Sequence, residues 1–149
     1  LCLLEFAERR MLDTQLARLR QHMGRVFLPG DHPLMHQVKK QLDAYFEGGL
    51  RQFSLPLQAP GTAFQEAVWD ALRRIPFGAM RSYAQIAAAI GQPDAVRAVG
   101  GANGDNRIAI VIPCHRVVAA DGELTGYGGG LWRKEYLLAL EQAQAFHLT

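Results

Sequence analysis

The 149 residues are enough for one ordinary domain or for two small domains that share a core. Hydrophobic residues make up 49% and charged residues 20% of the chain, which excludes an intrinsically disordered segment and is typical of a globular protein. No apolar run approaches the roughly 20 residues of a membrane-spanning helix, and 2 cysteines without a CxxC pair suggest neither a disulfide scaffold nor a metal site. We therefore expect a cytoplasmic protein with reduced thiols, no metal and no membrane contact.

The N-terminal part is predicted to hold two helices and one strand. Apolar residues spaced by about one or two helical turns predict a helix within residues 1–27: Met11, Leu12, Leu16, Leu19 and Met23. A second helix is predicted from about Pro33 to Phe46, and Gly48-Gly49 ends it. Weak alternation over residues 52–57 predicts a strand, and residues 58–61 are predicted to link this part to a C-terminal part.

Two capping-box patterns mark helices in the C-terminal part. Thr62 is followed three residues later by Gln65, which predicts a helix that extends to about Ile75. Ser82 and Gln85 have the same spacing and predict that a second helix begins directly after Ser82.

A third, short helix is predicted to follow a tight turn. Gly91 breaks the preceding helix, and the new helix is predicted from Asp94 to about Ala102 with Pro93 in its first turn. Two short helices joined in this way resemble a helix-turn-helix, in which the second helix, here carrying Arg97, enters a groove of DNA. The alternative is a small Ala-rich helix pair that serves packing alone.

The charge of the chain is unevenly distributed. Residues 72–120 contain six arginines and two aspartates and carry +4, whereas the whole chain carries +2. A local basic face suits a phosphate backbone. A solvated charged surface explains the same charges equally well.

The last third of the chain changes pattern twice. Dense β-branched residues over 108–118 predict buried extended chain, interrupted by Pro113. Glycines over 126–130 predict a loop whose backbone can approach a ligand closely. A final helix is predicted from about Trp132 to Ala143, and its apolar face is expected to hold Tyr136, Leu137 and Leu140.

The segment Pro113-Cys114-His115-Arg116 is the strongest candidate for chemistry. A thiol reacts as its thiolate, and a neighbouring histidine and arginine can lower its pKa. Because adjacent side chains point in different directions, we expect a water to relay the proton from Cys114 to His115. A carboxylate of the last helix, Glu141 or Glu135, would orient the imidazole. The alternative is a structural cysteine buried in an apolar stretch.

This segment belongs to a longer pattern. The motifs are Pro76-Phe77-Gly78, Ser82-Tyr83, Arg97-Ala98-Val99-Gly100-Gly101-Ala102, Asn106, Ile112-Pro113-Cys114-His115-Arg116-Val117-Val118, Gly126-Tyr127-Gly128-Gly129-Gly130, Lys134-Glu135 and Leu137-Leu138-Ala139-Leu140-Glu141. In order and spacing they resemble the O6-alkylguanine-DNA alkyltransferases, also called methylated-DNA–protein-cysteine methyltransferases. The resemblance is dense from about Thr62 to Gln142. The N-terminal part is less similar, and Phe46-Glu47-Gly48 and Phe53 are its most similar stretch.

The resemblance implies a fold and a domain organisation. The fold class would be α+β, with a small N-terminal α/β domain over residues 1–57. Residues 58–149 would form a mainly helical C-terminal alkyltransferase domain that carries the helix-turn-helix and the active site.

The resemblance also implies catalytic roles at the matching positions. Cys114 would accept the alkyl group, His115 would act as a water-mediated base, and Glu141 would orient His115. Asn106 would brace the turn that carries Cys114. Tyr83 would donate a hydrogen bond to the purine as it leaves.

Further positions are implied to contact the base or the DNA. The backbone at Cys114, Val117 and Gly128 would form the purine pocket, together with Gly129. Tyr127 would be a lid over this pocket, and the alternative is a loop aromatic with its hydroxyl in water. Arg97 would fill the gap left in the base stack, and the other implied DNA contacts are Ser82, Ala98, Gly100, Ala102 and Arg116.

The implied activity is repair of O6-alkylguanine, and O4-alkylthymine would be a further substrate to test. The protein would bind double-stranded DNA through the minor groove, and the damaged nucleotide would be extruded into the pocket. The DNA itself donates the alkyl group, so no cofactor is implied. The protein would act once, as a monomer, and would lie on the nucleoid if bacterial.

Three other functions stay open at this point. A lesion-binding protein of the same fold would lack the cysteine, which Cys114 argues against. A DNA-binding regulator would place such a domain behind a transcription-factor module. A Cys–His hydrolase would need an oxyanion hole and a histidine distant in sequence. Thr125-Gly126 and Gly128 depart from the usual family residues, which leaves the size of the accepted alkyl group open.

Overall fold

The structure, a computed structural model, describes residues 1–146. Six α-helices, one 3-10 helix and one small sheet make up the described part. The helices are α1 (Leu12–Met23), α2 (Pro33–Phe46), α3 (Ala63–Arg73), α4 (Tyr83–Ala89), α5 (Val96–Gly104) and α6 (Leu131–Phe146), the 3-10 helix is Cys114–Arg116, and the strands are β1 (Arg81–Ser82) and β2 (Val117–Val118). This mixed composition confirms the predicted α+β class.

The helix starts follow from their capping residues. The Thr62 hydroxyl accepts from the Gln65 N–H, and the Gln65 side chain accepts from the Thr62 N–H in return. Ser82 and Gln85 form the same reciprocal pair at the start of α4. Both predicted capping boxes are therefore confirmed, and each satisfies two backbone donors that the first helical turn leaves free.

Most of the buried apolar residues form one core under the C-terminal part. Helices α3, α4 and α5 supply side chains such as Trp69, Ile86 and Val99, and the segment before β2 adds Ile108 and Ile112. A second, smaller cluster joins Tyr45 of α2 to Ala109, Ile110 and Leu137. The N-terminal part therefore packs directly on the segment that leads to Cys114 and on α6.

The N-terminal part differs from the predicted α/β domain. Residues 53–60 form no strand, and the only β-contact of residues 1–57 within the described part is an isolated parallel bridge between Leu4 and Ile108. The amide of Leu4 donates to the carbonyl of Arg107, and Ala109 donates to Leu4. The alternation over residues 52–57 was too weak to predict pairing, and Pro56 removes one donor from that segment.

The segment 108–118 is not the extended chain that its β-branched residues predicted. It makes two turns and the 3-10 helix, and only Val117 and Val118 form a strand, paired in parallel with Arg81 and Ser82. Ile110 has φ of 70°, an unusual value for a β-branched residue. The side chain of Asn106 accepts from the Ile108 N–H and donates to the Ile112 carbonyl, so tertiary contacts and not local propensity decide the shape of this segment.

Two helix details also correct the sequence interpretation. Helix α5 begins at Val96, so Asp94 and Pro93 lie in the preceding turn and not in the first helical turn. Tyr136 of α6 is 55% exposed and does not share the buried face of Leu137. Within residues 1–146, no helix has both the length and the hydropathy that crossing a bilayer would require.

Candidate active site

Cys114 is the first residue of the 3-10 helix, and Asn106 holds the turn in front of it. The Asn106 amide nitrogen lies 2.9 Å from the Ile112 carbonyl oxygen and 3.1 Å from Cys114 Sγ, and its oxygen accepts from the Ile108 N–H. Gln15, buried on α1, donates to the Asn106 carbonyl from the other side. One buried amide therefore fixes both the turn and the position of the sulfur.

Glu141 of α6 accepts five hydrogen bonds, three of them from His115 and Arg116, which follow Cys114. Its Oε1 accepts from Tyr45 Oη (2.7 Å), His115 Nε2 (2.7 Å) and Arg116 Nη2 (2.9 Å). Its Oε2 accepts from Arg116 Nε (2.8 Å) and the Gly78 N–H (3.3 Å). Burial alone would raise the pKa of Glu141, but the hydrogen bonds and charges of His115 and Arg116 outweigh it and lower the pKa to about 2. Glu141 is thus ionised, and the exposed Glu135 has no part in the site.

The ionised carboxylate decides which nitrogen of His115 carries the proton. Glu141 can only accept, so Nε2 of His115 must donate. Burial lowers the pKa of His115 although Glu141 raises it in part, so the ring is neutral with its lone pair on Nδ1. Among residues 1–146, this buried Nδ1 has no hydrogen-bond partner. The arrangement leaves one basic nitrogen beside the cysteine turn.

The acidity of Cys114 differs from the sequence prediction. Burial raises the pKa of its thiol to about 11, and the Asn106 hydrogen bond and the charges of Lys134 and Arg9 only partly oppose this. His115 and Arg116 do not lower this pKa as predicted, because both side chains are committed to Glu141. The resting thiol is therefore protonated at neutral pH.

Cys114 lines a small pocket of about 10 Å³. Its other lining residues include Asn103 and Asn106, the loop 126–129, and Glu5 and Arg9 of the N-terminal part. Tyr127 packs edge-to-face on Phe6 with ring centroids 6.1 Å apart. Its hydroxyl is buried and, within the described chain, unpaired, which contradicts the alternative of a hydroxyl in water.

Tyr83 and Lys134 meet at the loop that borders this pocket. The Tyr83 hydroxyl donates to the Thr125 carbonyl at 3.2 Å, and Lys134 Nζ donates to the same oxygen at 2.8 Å. Burial lowers the pKa of Lys134 to about 8, with the Cys114 charge opposing. No role was predicted for Lys134. Its spacing of seven residues from Glu141 placed both on one face of α6, which was the available signal.

The residues predicted to face DNA fall into two groups. Arg97 and Ala98 are exposed on α5 and Gly100 is partly exposed there, whereas Ser82 uses its hydroxyl as the cap of α4. Ala102 is 3% exposed, and its carbonyl accepts from the Trp69 indole N–H. Ala102 therefore lies on the buried side of α5 and not on the DNA-facing surface that was predicted for it.

Two further predicted contacts are corrected by burial. Arg116 is 6% exposed, and its guanidinium donates to Glu141 and to the Ile75 carbonyl. It therefore has no free donor face for a phosphate. Val117 is fully buried in β2 and its N–H donates to the Cys114 carbonyl, so it does not line the pocket. Gly128 and Gly129 line the pocket beside Cys114, and their role in holding a purine stays a prediction.

The fold and the site define a class of protein in which an asparagine braces a cysteine and the next residue, a histidine, is bonded to a buried glutamate. A model for the DNA-binding domain of 6-O-methylguanine DNA methyltransferases matches residues 63–143, and a model for their ribonuclease-like domain matches residues 6–59. The chain belongs to the 6-O-methylguanine DNA methyltransferase family, as the sequence motifs predicted.

Relatives with the name methylated-DNA–protein-cysteine methyltransferase include two with high identity. The protein of Mycolicibacterium paratuberculosis is 60% identical over 103 residues, which cover 69% of this chain and 62% of the relative. That of Methanosarcina barkeri is 51% identical over 122 residues, which cover 79% of this chain and 77% of the relative. This chain thus spans less than two thirds of the mycobacterial relative.

Two solved structures are similar in fold as well as sequence. Mycobacterium tuberculosis OGT in complex with DNA superposes with a TM-score of 0.72 at 55% identity, covering 73% of this chain and 68% of that chain. The O6-methylguanine-DNA methyltransferase of Pyrococcus kodakaraensis gives a TM-score of 0.67 at 32% identity, covering 88% and 79%.

Proposed function

We propose that this chain repairs O6-alkylguanine in DNA by transferring the alkyl group to Cys114. The observation that carries the proposal is the thiol of Cys114, which lines a pocket, is held by Asn106 and is followed in the same 3-10 helix by a neutral His115 that Glu141 orients. The name shared by the relatives, methylated-DNA–protein-cysteine methyltransferase, describes the same chemistry.

The proton of the thiol leaves through His115. Nδ1 is the basic nitrogen, since Nε2 donates to Glu141, and a water between Nδ1 and the sulfur would complete the path. The imidazolium that forms is stabilised by the ionised Glu141. Because burial raises the pKa of the resting thiol, the base at His115 is needed to remove its proton at neutral pH.

The transfer step is an in-line displacement at carbon. The Cys114 sulfur forms the S–C bond as the bond between the alkyl carbon and O6 breaks, and guanine leaves with the electron pair. The side-chain N–H of Asn106, 3.1 Å from Sγ, stabilises the thiolate that attacks. The product is a thioether, for which the chain offers no route of cleavage, so each molecule acts once.

The leaving purine gains negative charge, and we assign two donors at the neighbouring loop to offset it. The Tyr83 hydroxyl and the Lys134 ammonium share the Thr125 carbonyl beside the pocket. If either donor turned from this carbonyl to the purine, its hydrogen bond would stabilise the developing negative charge and make guanine a better leaving group. Lys134, with its pKa near 8, is mostly cationic at neutral pH.

The DNA partner is proposed to meet α4 and α5. These helices form the proposed helix-turn-helix, and Arg97 is exposed on α5 with no hydrogen bond or ion pair to residues 1–146. We assign Arg97 to the gap that an extruded nucleotide leaves, approached from the minor groove. Extrusion costs a few kcal/mol, which an inserted side chain offsets in part. The crystal structure of M. tuberculosis OGT with DNA supports DNA as the partner.

The remaining features of the proposal follow from this chemistry. The DNA supplies the alkyl group, so the reaction needs neither cofactor nor metal. The protein is proposed to act as a cytoplasmic monomer. Activity on O4-alkylthymine would use the same attack on an alkyl carbon bound to a base oxygen.

Transfer of a labelled methyl group tests the proposal. Duplex DNA with one O6-[methyl-labelled]guanine is incubated with the wild-type chain, with Cys114→Ala, and with Cys2→Ala as the matched control. We expect label on the wild type and on Cys2→Ala, and none on Cys114→Ala, which should still bind the duplex. Label on all three proteins, or on none, would contradict the proposal.

A further inference from the structure

The pocket beside Cys114 is too small for the base that the proposed function places in it. About 10 Å³ is room for a single water molecule. Ligand pockets that enclose molecules of drug size measure about 300 Å³ or more. An extruded purine with its alkyl group therefore enters only if part of the pocket wall moves. The side chains that form this wall then determine how large an alkyl group fits.

Phe6 and Arg9 of the N-terminal part fill the space next to the loop 126–129. A Cβ built on Gly128 would lie 2.7 Å from Arg9 Cζ, and one built on Gly129 would lie 2.6 Å from the Phe6 ring. Both distances are well below ordinary carbon contacts. The guanidinium of Arg9 thus occupies volume that a side chain at position 128 would otherwise take.

Arg9 is fixed in this position by several partners. It forms a buried ion pair with Glu5, and the side chains of both residues are less than a tenth exposed. Its Nη2 donates to the Gly104 carbonyl at 2.6 Å, and its Nη1 donates to the Arg10 carbonyl at 2.8 Å. The backbone N–H of Arg10 donates to the Gly128 carbonyl at 3.1 Å, which ties the segment to the loop.

We propose that Arg9 is a specificity-determining residue, whose side chain forms the wall of the Cys114 pocket that limits the size of the transferred alkyl group. The inference rests on the proposed function and names its substrate class: small O6-alkyl adducts are favoured over bulky ones. The charge of Arg9 is offset by Glu5, so the wall acts through its volume and not through net charge.

The test compares transfer from O6-methylguanine and O6-benzylguanine in otherwise identical duplexes. Arg9→Ala removes the guanidinium, and Arg10→Ala is the matched control because its side chain is exposed. We expect Arg9→Ala to raise the benzyl-to-methyl rate ratio by about tenfold or more, as a change of pocket volume does. Arg10→Ala should leave the ratio at the wild-type value.

A second pair of variants keeps the test decisive if Arg9→Ala leaves Glu5 buried without its partner and fails to fold. Glu5→Gln with Arg9→Ala removes both charges and should raise the ratio in the same way. Gly128→Ala should slow methyl transfer in the wild-type background, because its Cβ meets Arg9. The same substitution should cost little when Arg9 is alanine.

The outcomes separate this inference from the function on which it rests. If the wild type transfers methyl but the rate ratio is the same in all Arg9 variants, Arg9 does not limit adduct size. The inference also falls if Gly128→Ala slows methyl transfer equally with and without Arg9. If the wild type itself transfers no methyl group, the proposed function fails first.

Discussion

At the scale of single residues, Glu141 is the group whose loss has the clearest consequence. Its carboxylate is fully buried and serves His115, Arg116, Tyr45 and the Gly78 N–H at once. A buried charge is tolerated because its partners satisfy it, and removing one partner leaves the others unpaired.

We predict that Glu141→Gln lowers the free energy of unfolding by about 3–5 kcal/mol, because Arg116 loses its counter-charge and an amide NH₂ faces donors. Denaturant unfolding measures this. Glu135→Gln, an exposed residue of the same helix, is the control and should stay within about 0.5 kcal/mol of the wild type. Equal losses in the two variants would show that the network contributes nothing.

The same residue predicts how stability depends on pH. Its pKa is lowered in the folded protein to about 2, so its contribution is complete above the unfolded value near 4.5 and is lost as the pH falls toward 2. The shift corresponds to about 3 kcal/mol. The stability difference between wild type and Glu141→Gln should therefore narrow from pH 6 to pH 3. A constant difference across this range would mean that Glu141 titrates normally.

At the scale of the helices, the capping box of Ser82 determines where α4 begins. Ser82→Ala removes the hydroxyl that accepts from the Gln85 N–H, and we predict a loss of about 1 kcal/mol in the free energy of unfolding. Gln85→Glu is the control, because a carboxylate also accepts from the Ser82 N–H. Ser82→Ala and Gln85→Glu should differ in thermal unfolding, and identical midpoints would count against the cap.

The helices were predictable because their signals are local. Capping boxes at Thr62 and Ser82, and apolar spacing over 33–46, act within a few residues of each other in sequence. The segment 108–118 was not predictable, because its turns are held by Asn106 and its neighbours instead of by β-propensity. Tertiary contacts override propensity there.

The site was predictable where the motif itself carries the chemistry. Asn106 bonds to Cys114 and Glu141 bonds to His115, which are the pairings that the motifs implied, and the catalytic roles of these residues stay a proposal. Arg116 was misplaced, because a charged residue beside a cysteine gives no sign that its partner is a buried carboxylate. Glu5 and Arg9 line the same pocket although they precede Cys114 by more than 100 residues, and no local pattern indicates this.

At the scale of the whole molecule, the N-terminal and C-terminal parts are joined at the site. Tyr45 of α2 donates to Glu141 of α6, and Leu4 pairs with Ile108. The division into domains at residues 57 and 58 stays a prediction, and these contacts couple the two parts whether or not each folds alone.

We predict a single unfolding transition for the whole chain. Circular dichroism reports all helices, and fluorescence reports Trp69 and Trp132 of the C-terminal part, so the two signals should change together in denaturant. Separate transitions in the two signals would show that the parts unfold independently.

Tyr45→Phe should lower the free energy of unfolding by about 1–2 kcal/mol, because a hydrogen bond to a buried carboxylate is lost.

The stoichiometry of alkyl transfer tests the account most directly. Intact-mass spectrometry of the chain, titrated with a duplex that contains one O6-methylguanine, should show one added methyl group per molecule and no further addition. Peptide mapping should place it on Cys114. A methyl group on Cys2, release of free methylated product with turnover, or an unchanged mass in excess duplex would contradict the account.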